Sequence, residues 1–195
     1  LLAVISFITG SWKDLPIYSL QVLMLSGIIG IFLGDTALFA SLQRLGPSRS
    51  SVIFALNAPI TVIIGWFFLE EYLSKMTLFG CGLVFIGVLI AILGRSNKDE
   101  PLTMDSTQGS ISSGIIFGLL GALGQSIGAI IARPIMSEGF DPVTAAAVRV
   151  GVSACLLLLL GFFPSTFFKP KVPYNSNLIG MIILSGFIAM GLGMT

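Results

Sequence analysis

Apolar residues gather into long unbroken blocks along this chain, and polar residues fall in short breaks between them. Seven apolar runs stand out, at residues 1–8, 17–40, 52–69, 76–94, 114–132, 143–163 and 178–195. A helix needs about 20 mostly apolar residues to cross a bilayer. Backbone polar groups have no water to bond inside the hydrocarbon, so each run predicts a helix that satisfies its own amides. A barrel strand would alternate over about ten residues, and these runs are longer and do not alternate. The pattern predicts an all-α membrane protein, a polytopic helical bundle. Its longest polar break, 95–113, holds five charges and no apolar run. That break divides the chain into 1–94 and 114–195, with 95–113 as the linker.

Small residues recur at helical spacing within the runs. One face of 114–132 carries Gly114, Gly118, Gly121, Gln125, Gly128 and Ala132, and 17–40 carries Gly27, Gly30, Gly34 and Ala37. Such stripes let helices approach closely in lipid, so Gly30, Gly34 and Gly121 are expected at packing contacts. The stretch "LSGIIGIFLGDT" at 25–36 returns as "LSGFIAMGLGMT" at 184–195, with seven of twelve positions identical. The copies lie five helices apart. An odd count reverses direction, which predicts inverted five-helix repeats, the arrangement of many secondary transporters. A five-helix unit implies ten helices in the whole protein, with about seven represented here. The copies differ at one telling place: Asp35 is matched by Met194, so the scaffold repeats and the charge does not.

Composition narrows the function classes. The chain is 55% hydrophobic and 10% charged, against about 25% charged in soluble domains. Its net charge of +1 argues for no nucleic-acid partner. Histidine is absent, which excludes His-based acid–base chemistry and His metal sites within the chain. Cys81 and Cys155 lie in apolar runs and read as small core residues. No phosphate loop is visible, so neither ATP hydrolysis nor any cofactor is implied. The chain opens with Leu inside one apolar run and closes inside another, and is expected to be a piece of a longer protein.

Four polar side chains inside the runs are candidate substrate contacts. Asp35 is a carboxylate at a depth where an unpaired charge costs about 2.5–3.5 kcal/mol on insertion scales. It can pair with Arg149, line a central cavity for substrate or a coupling proton, or reach a nearby interface. An ideal helix puts it about 120° from the Gly30/Gly34 face, beside rather than within the tightest contact. Asn57 precedes Pro59, whose missing N–H frees the carbonyl of Ala55 and predicts a kink. Gln125 lies in its glycine stripe and can equally be an interhelical hydrogen bond. Arg149 can bind substrate, or form a structural pair by reaching toward Asp141. Glu70, Glu71 and Lys75 read as solvated interface charges, and Trp66 as an aromatic-belt residue.

The stretch 37–94, "ALFASLQRLGPSRSSVIFALNAPITVIIGWFFLEEYLSKMTLFGCGLVFIGVLIAILG", resembles the EamA-type transporters of the drug/metabolite transporter superfamily. Pro59, Gly65, Trp66, Glu71 and Leu73 fall at the positions of that pattern, and "TAAAVRVGVSACLLLLL" resembles the second helix of a family repeat, with Arg149 at its basic position. Glu70 departs from the pattern, which usually has Gly there. The resemblance implies two five-helix repeats in a plasma-membrane protein that moves small metabolites, with a small-molecule substrate, lipid around it and a coupling proton as a possible partner. An intramembrane aspartyl protease is the alternative, suggested by Gly34-Asp35. Phe32 breaks its Gly-x-Gly-Asp motif, and no second aspartate lies in a run. A channel or receptor is a further alternative, without a filter-like segment to support it. Counting crossings puts the loop at 95–113 on the side of those near residues 46 and 170. Positive charge assigns that side to the cytoplasm, whereas the resemblance assigns it to the exterior.

Overall fold

The structure is a computed structural model that describes residues 16–93 and 110–162, with Gly180, Met181 and Leu184. The apolar run at 1–8 and the repeat copy at 184–195 fall outside the described residues, save Leu184. Helix α1 (Ile17–Gly27) passes without a break into a π-helical segment (Ile28–Leu33) and then into α2 (Gly34–Leu45). Helices α3 (Pro47–Phe54) and α4 (Asn57–Leu69) form the next span. Helices α5 (Lys75–Leu93), α6 (Ile111–Ser137) and α7 (Pro142–Phe162) follow. Among the described residues, four segments are long and apolar enough to cross a membrane: Ile17–Leu45, Pro47–Leu69, Ile111–Ser137 and Pro142–Leu160. In α5 the stretch Lys75–Ala91 is also apolar and slightly shorter.

The helices outrun their apolar cores at both ends. Polar residues near 43–51, expected as a connection, are helical on either side of Gly46. Gly46 turns the chain with φ of 80°, a left-handed value that a side chain would strain. Pro47 then opens α3 at a position where its missing N–H costs nothing. The helix is interrupted before Pro59. The chain leaves the helix at Ala55 and Leu56 and re-enters it at Asn57, so Pro59 sits in a first turn, where no earlier carbonyl needs its N–H.

Helix α6 is the hub. It packs against α1, the π segment, α2, α3 and α4, while α7 covers α1 and the π segment. The buried side of α6 is almost all small: Gly114, Gly118, Gly121, Ala122, Ser126, Gly128 and Ala132. Lipid tails are as apolar as leucine, so helices in a membrane gain from close van der Waals contact and from hydrogen bonds rather than from hydrophobic burial. The α6 seam shows both. Serine hydroxyls donate across it to backbone carbonyls, Ser26 to Gly128 at 2.6 Å and Ser126 to Asn57 at 2.9 Å. Ser153 ties α7 to Gly27 in the same way, at 2.9 Å. A small apolar cluster of Leu23, Ala132, Ile135 and Ala145 closes one end.

Candidate functional site

The expected glycine stripe of 17–40 exists but serves two neighbours. A Cβ on Gly27 would lie 2.6 Å from the Arg149 carbonyl oxygen of α7. One on Gly30 would lie 3.0 Å from Gly128 Cα of α6, and one on Gly34 would lie 3.3 Å from the Gln125 amide nitrogen, also of α6. On the α6 side, Gly121 receives the Gly34 carbonyl, 3.1 Å from where its Cβ would stand. Gly30, Gly34 and Gly121 therefore stand where helix backbones approach closely. The division between α6 and α7 falls inside the π segment, whose wider turn changes which residues face which helix. π-helical turns are rare and occur mostly as single turns within α-helices, frequently at functional sites. This one ends directly before Gly34-Asp35.

Asp35 follows on α2, half-buried, and accepts a hydrogen bond of 3.2 Å from Gln125 Nε2. The π segment ends before Gly34, so the step from Gly34 to Asp35 is an ordinary α-helical one. The carboxylate lies beside the Gly30/Gly34 contact, next to Gln125 at the edge of the α2–α6 seam. The same bond settles what Gln125 touches: its amide crosses to Asp35 while its backbone meets Gly34. Next to it, Ser126 donates to the Asn57 carbonyl at the break between α3 and α4 and to its own Ala122 carbonyl. Asp35, Gln125 and Asn57 are thus joined through two consecutive residues of α6. Asn57 contributes its backbone oxygen, which also accepts from Thr61 at 2.7 Å.

Arg149 stands apart from this chain of bonds. Its backbone presses on Gly27, and its Nη2 lies 3.5 Å from where a Gly30 Cβ would be. Among the described residues it forms no ion pair with Asp35, and its buried Nε has no hydrogen-bond partner. The expected reach toward Asp141 is also corrected. Asp141 is occupied as the cap of α7, accepting from the backbone amides of Val143 and Thr144 and from the Thr144 hydroxyl, at 3.3, 3.1 and 2.7 Å. A capping carboxylate satisfies amides that the first helical turn leaves free.

At the far end of α4, Glu71 is more than a solvated charge. It forms an ion pair with Arg133 of α6, both about half exposed, across a gap that Gly65 keeps narrow. Sequence reading missed this pair because its members are 62 residues apart. Glu70 adopts φ 53° and ψ 30°, the left-handed conformation that explains why the family pattern prefers Gly there. Trp66 is 55% exposed, consistent with an interfacial aromatic. No group of three His, Cys, Asp or Glu that could hold a metal ion occurs among the described residues.

Long apolar helices, sealed by small residues and crossed by hydroxyl-to-carbonyl bonds, define an integral multi-pass membrane protein. Residues 1–93, just under half of the chain, match the model of the EamA-like transporter family. The chain is 27% identical to an uncharacterized transporter, YyaM of Bacillus subtilis (strain 168), over 139 residues, 71% of this chain and 43% of that protein. The chain thus spans less than half the length of the curated relative it matches. No solved structure matches it.

Proposed function

We propose that the chain forms part of a secondary transporter that moves small metabolites out of the cell by alternating access between two inverted five-helix repeats. The observation that carries this reading is Asp35. It is the single carboxylate in the apolar runs, and its partner at the seam is a neutral amide. A hydrogen bond from an amide leaves the carboxylate's charge uncompensated among the described residues. Intramembrane ionisable groups mark substrate and proton paths more often than packing needs. Asp35 then takes a substrate donor or a coupling proton, Gln125 orients it, and the Asn57 side chain at the helix break offers a second polar contact to the same path. Pro59 keeps that break open. The loss of the charge in the repeat copy, where Met194 stands, fits a site built on one half of a symmetric frame.

The test begins with a metabolite-export screen of the full-length protein in cells, followed by purification and reconstitution of the protein with the best hit. Saturable, protein-dependent flux in proteoliposomes is expected. Flux no greater than that of empty vesicles, with folded protein present, would rule out the transporter reading.

A further inference from the structure

We infer that Arg149 is an oxyanion-binding residue, and that the substrate carries a carboxylate or phosphate group that docks on its guanidinium inside the membrane. This rests on the transporter reading above and adds a substrate class to it.

The chain has nine acidic residues, and Asp35 is the one that lies in an apolar run. The other eight, Asp14, Glu70, Glu71, Asp99, Glu100, Asp105, Glu138 and Asp141, all stand in the polar connections. Arg149 belongs to the middle of a span, three residues from the centre of α7 at residue 152, or about 4.5 Å at 1.5 Å per residue. A guanidinium cannot shed its proton in a protein, so it must be compensated where it lies. Asp35 is bonded to Gln125, and Asp141 caps α7. Glu71 is paired with Arg133. The guanidinium of Arg149 is left without a counter-ion among the described residues, and its Nε is buried without an acceptor. Buried orphan donors are rare in native proteins and call for a specific explanation, such as a bound ion.

An oxyanion supplies what is lacking. The planar fork of Arg matches carboxylate and phosphate oxygens with two parallel bonds, and such bonds are strongest away from water. The local backbone suits this role. Gly30 has no side chain to crowd Nη2, and the π segment lies directly under the guanidinium. Ser153 fixes the α7 backbone here by donating to both the Gly27 and the Arg149 carbonyls, so the fork projects from a held turn. Depth decides between two sources of the anion. Lipid phosphates lie beyond the hydrocarbon edge, about 15 Å from the midplane. A group a few ångströms from the midplane is better placed for a solute that enters between the helices.

The experiment measures binding without requiring transport. The full-length protein in detergent is titrated at constant ionic strength with succinate and with glycerol 3-phosphate. Succinamide and glycerol serve as the uncharged counterparts, and melting temperature is the readout. A saturable rise is expected with at least one anion and none with its counterpart. Arg149→Gln is expected to weaken the apparent affinity about 10- to 100-fold, the effect of losing a charge-assisted hydrogen bond, and Arg149→Lys less. Butanedione modification of wild-type Arg149, read by mass spectrometry, should be slowed by the same anion, which keeps the test decisive if the variants fail to fold. Three results would overturn the inference: no saturable response to either anion, equal responses in wild type and Arg149→Gln, or an Arg149-dependent gain in phosphatidylglycerol over phosphatidylcholine nanodiscs with no response to the soluble anions. Arg149-dependent binding without flux in proteoliposomes would support the anion site and sink the transporter reading alone. Flux unchanged by Arg149→Gln would do the reverse.

Discussion

Helices α6 and α5 are both rich in glycine, yet they use it in opposite ways. On α6 a Cβ built at Gly114, Gly118, Gly121, Gly124 or Gly128 would lie between 2.4 and 3.1 Å from a neighbouring helix. On α5 a Cβ at Gly80, Gly82 or Gly87 would meet no described residue within 4 Å. Helix α5 leans on α3 and α4, whereas α6 has neighbours along its whole length. Glycine content is therefore no measure of a helix interface by itself. The absent side chain matters where a partner backbone occupies its place, because lipid cannot restore the close packing of two helices once they are pushed apart. The polar chemistry follows the same division: Gln125 and Ser126 of α6 reach across to Asp35 of α2 and the Asn57 carbonyl of α4.

The comparison can be broken most sharply at Gly128. A Cβ there would stand 2.4 Å from Gly30 Cα and 2.9 Å from the Ser26 carbonyl oxygen, so backbone must move. Gly128→Ala is expected to cost about 3 kcal/mol, the upper end of the usual overpacking range. Thermal unfolding and size-exclusion yield in detergent would show it, and wild-type values for both would contradict the seam. A smaller loss is expected at the start of α7, which leans on that seam. Asp141→Ala removes a helix cap and should cost about 1 kcal/mol. In the folded protein the Thr144 hydroxyl, foremost, holds the Asp141 carboxyl below its ordinary range; slight burial opposes this, and the Thr144 and Val143 amides assist. With the folded value below the unfolded one of about 3.9, the cap contributes fully above about pH 4 and is lost as pH falls through the folded value. Melting curves of wild type and Asp141→Ala should therefore converge below pH 4.

Smaller effects are expected on the looser side of the molecule. Glu70→Gly should stabilise by roughly 0.5–1 kcal/mol, since Gly accepts the left-handed conformation that costs Glu about 1 kcal/mol or more. A lower melting temperature in that variant would mean that the Glu70 side chain supports the corner between α4 and α5. Smallest of all, Gly87→Ala on α5 should change stability by less than about 0.5 kcal/mol, as surface substitutions generally do. A loss comparable to that of Gly128→Ala would show α5 to be as tightly partnered as α6.

Much of this was legible in the residues. Unbroken apolar runs gave the spans, since nothing but a helix satisfies so long an apolar stretch in lipid. Gly30, Gly34 and Gly121 recur at helical spacing in the residues, and in the structure they face neighbouring backbone. The π segment was not legible. "IIGIFL" reads as ordinary apolar helix, and its wider turn becomes visible only once Gly27 meets α7 and Gly30 meets α6. Asp35 could be placed in depth and beside the glycine face, but its choice of Gln125 over Arg149 stayed open, because periodicity does not say which helix packs there. The Glu71–Arg133 pair escaped for a different reason: each charge sits near a helix end, where solvation alone accounts for it.

The central claim is that the Asp35 carboxylate acts in transport rather than in folding, and Asp35→Asn separates the two directly. The Asn side-chain oxygen can still accept from Gln125, so the seam should survive and melting temperature should stay within about 0.5 kcal/mol equivalent of wild type. Flux of the best metabolite into proteoliposomes is then measured from pH 5 to 8. The account predicts a folded variant whose flux falls at least about tenfold, a loss of about 1.4 kcal/mol of transport-step stabilisation, or loses its pH dependence. Wild-type flux with a wild-type pH profile would contradict it.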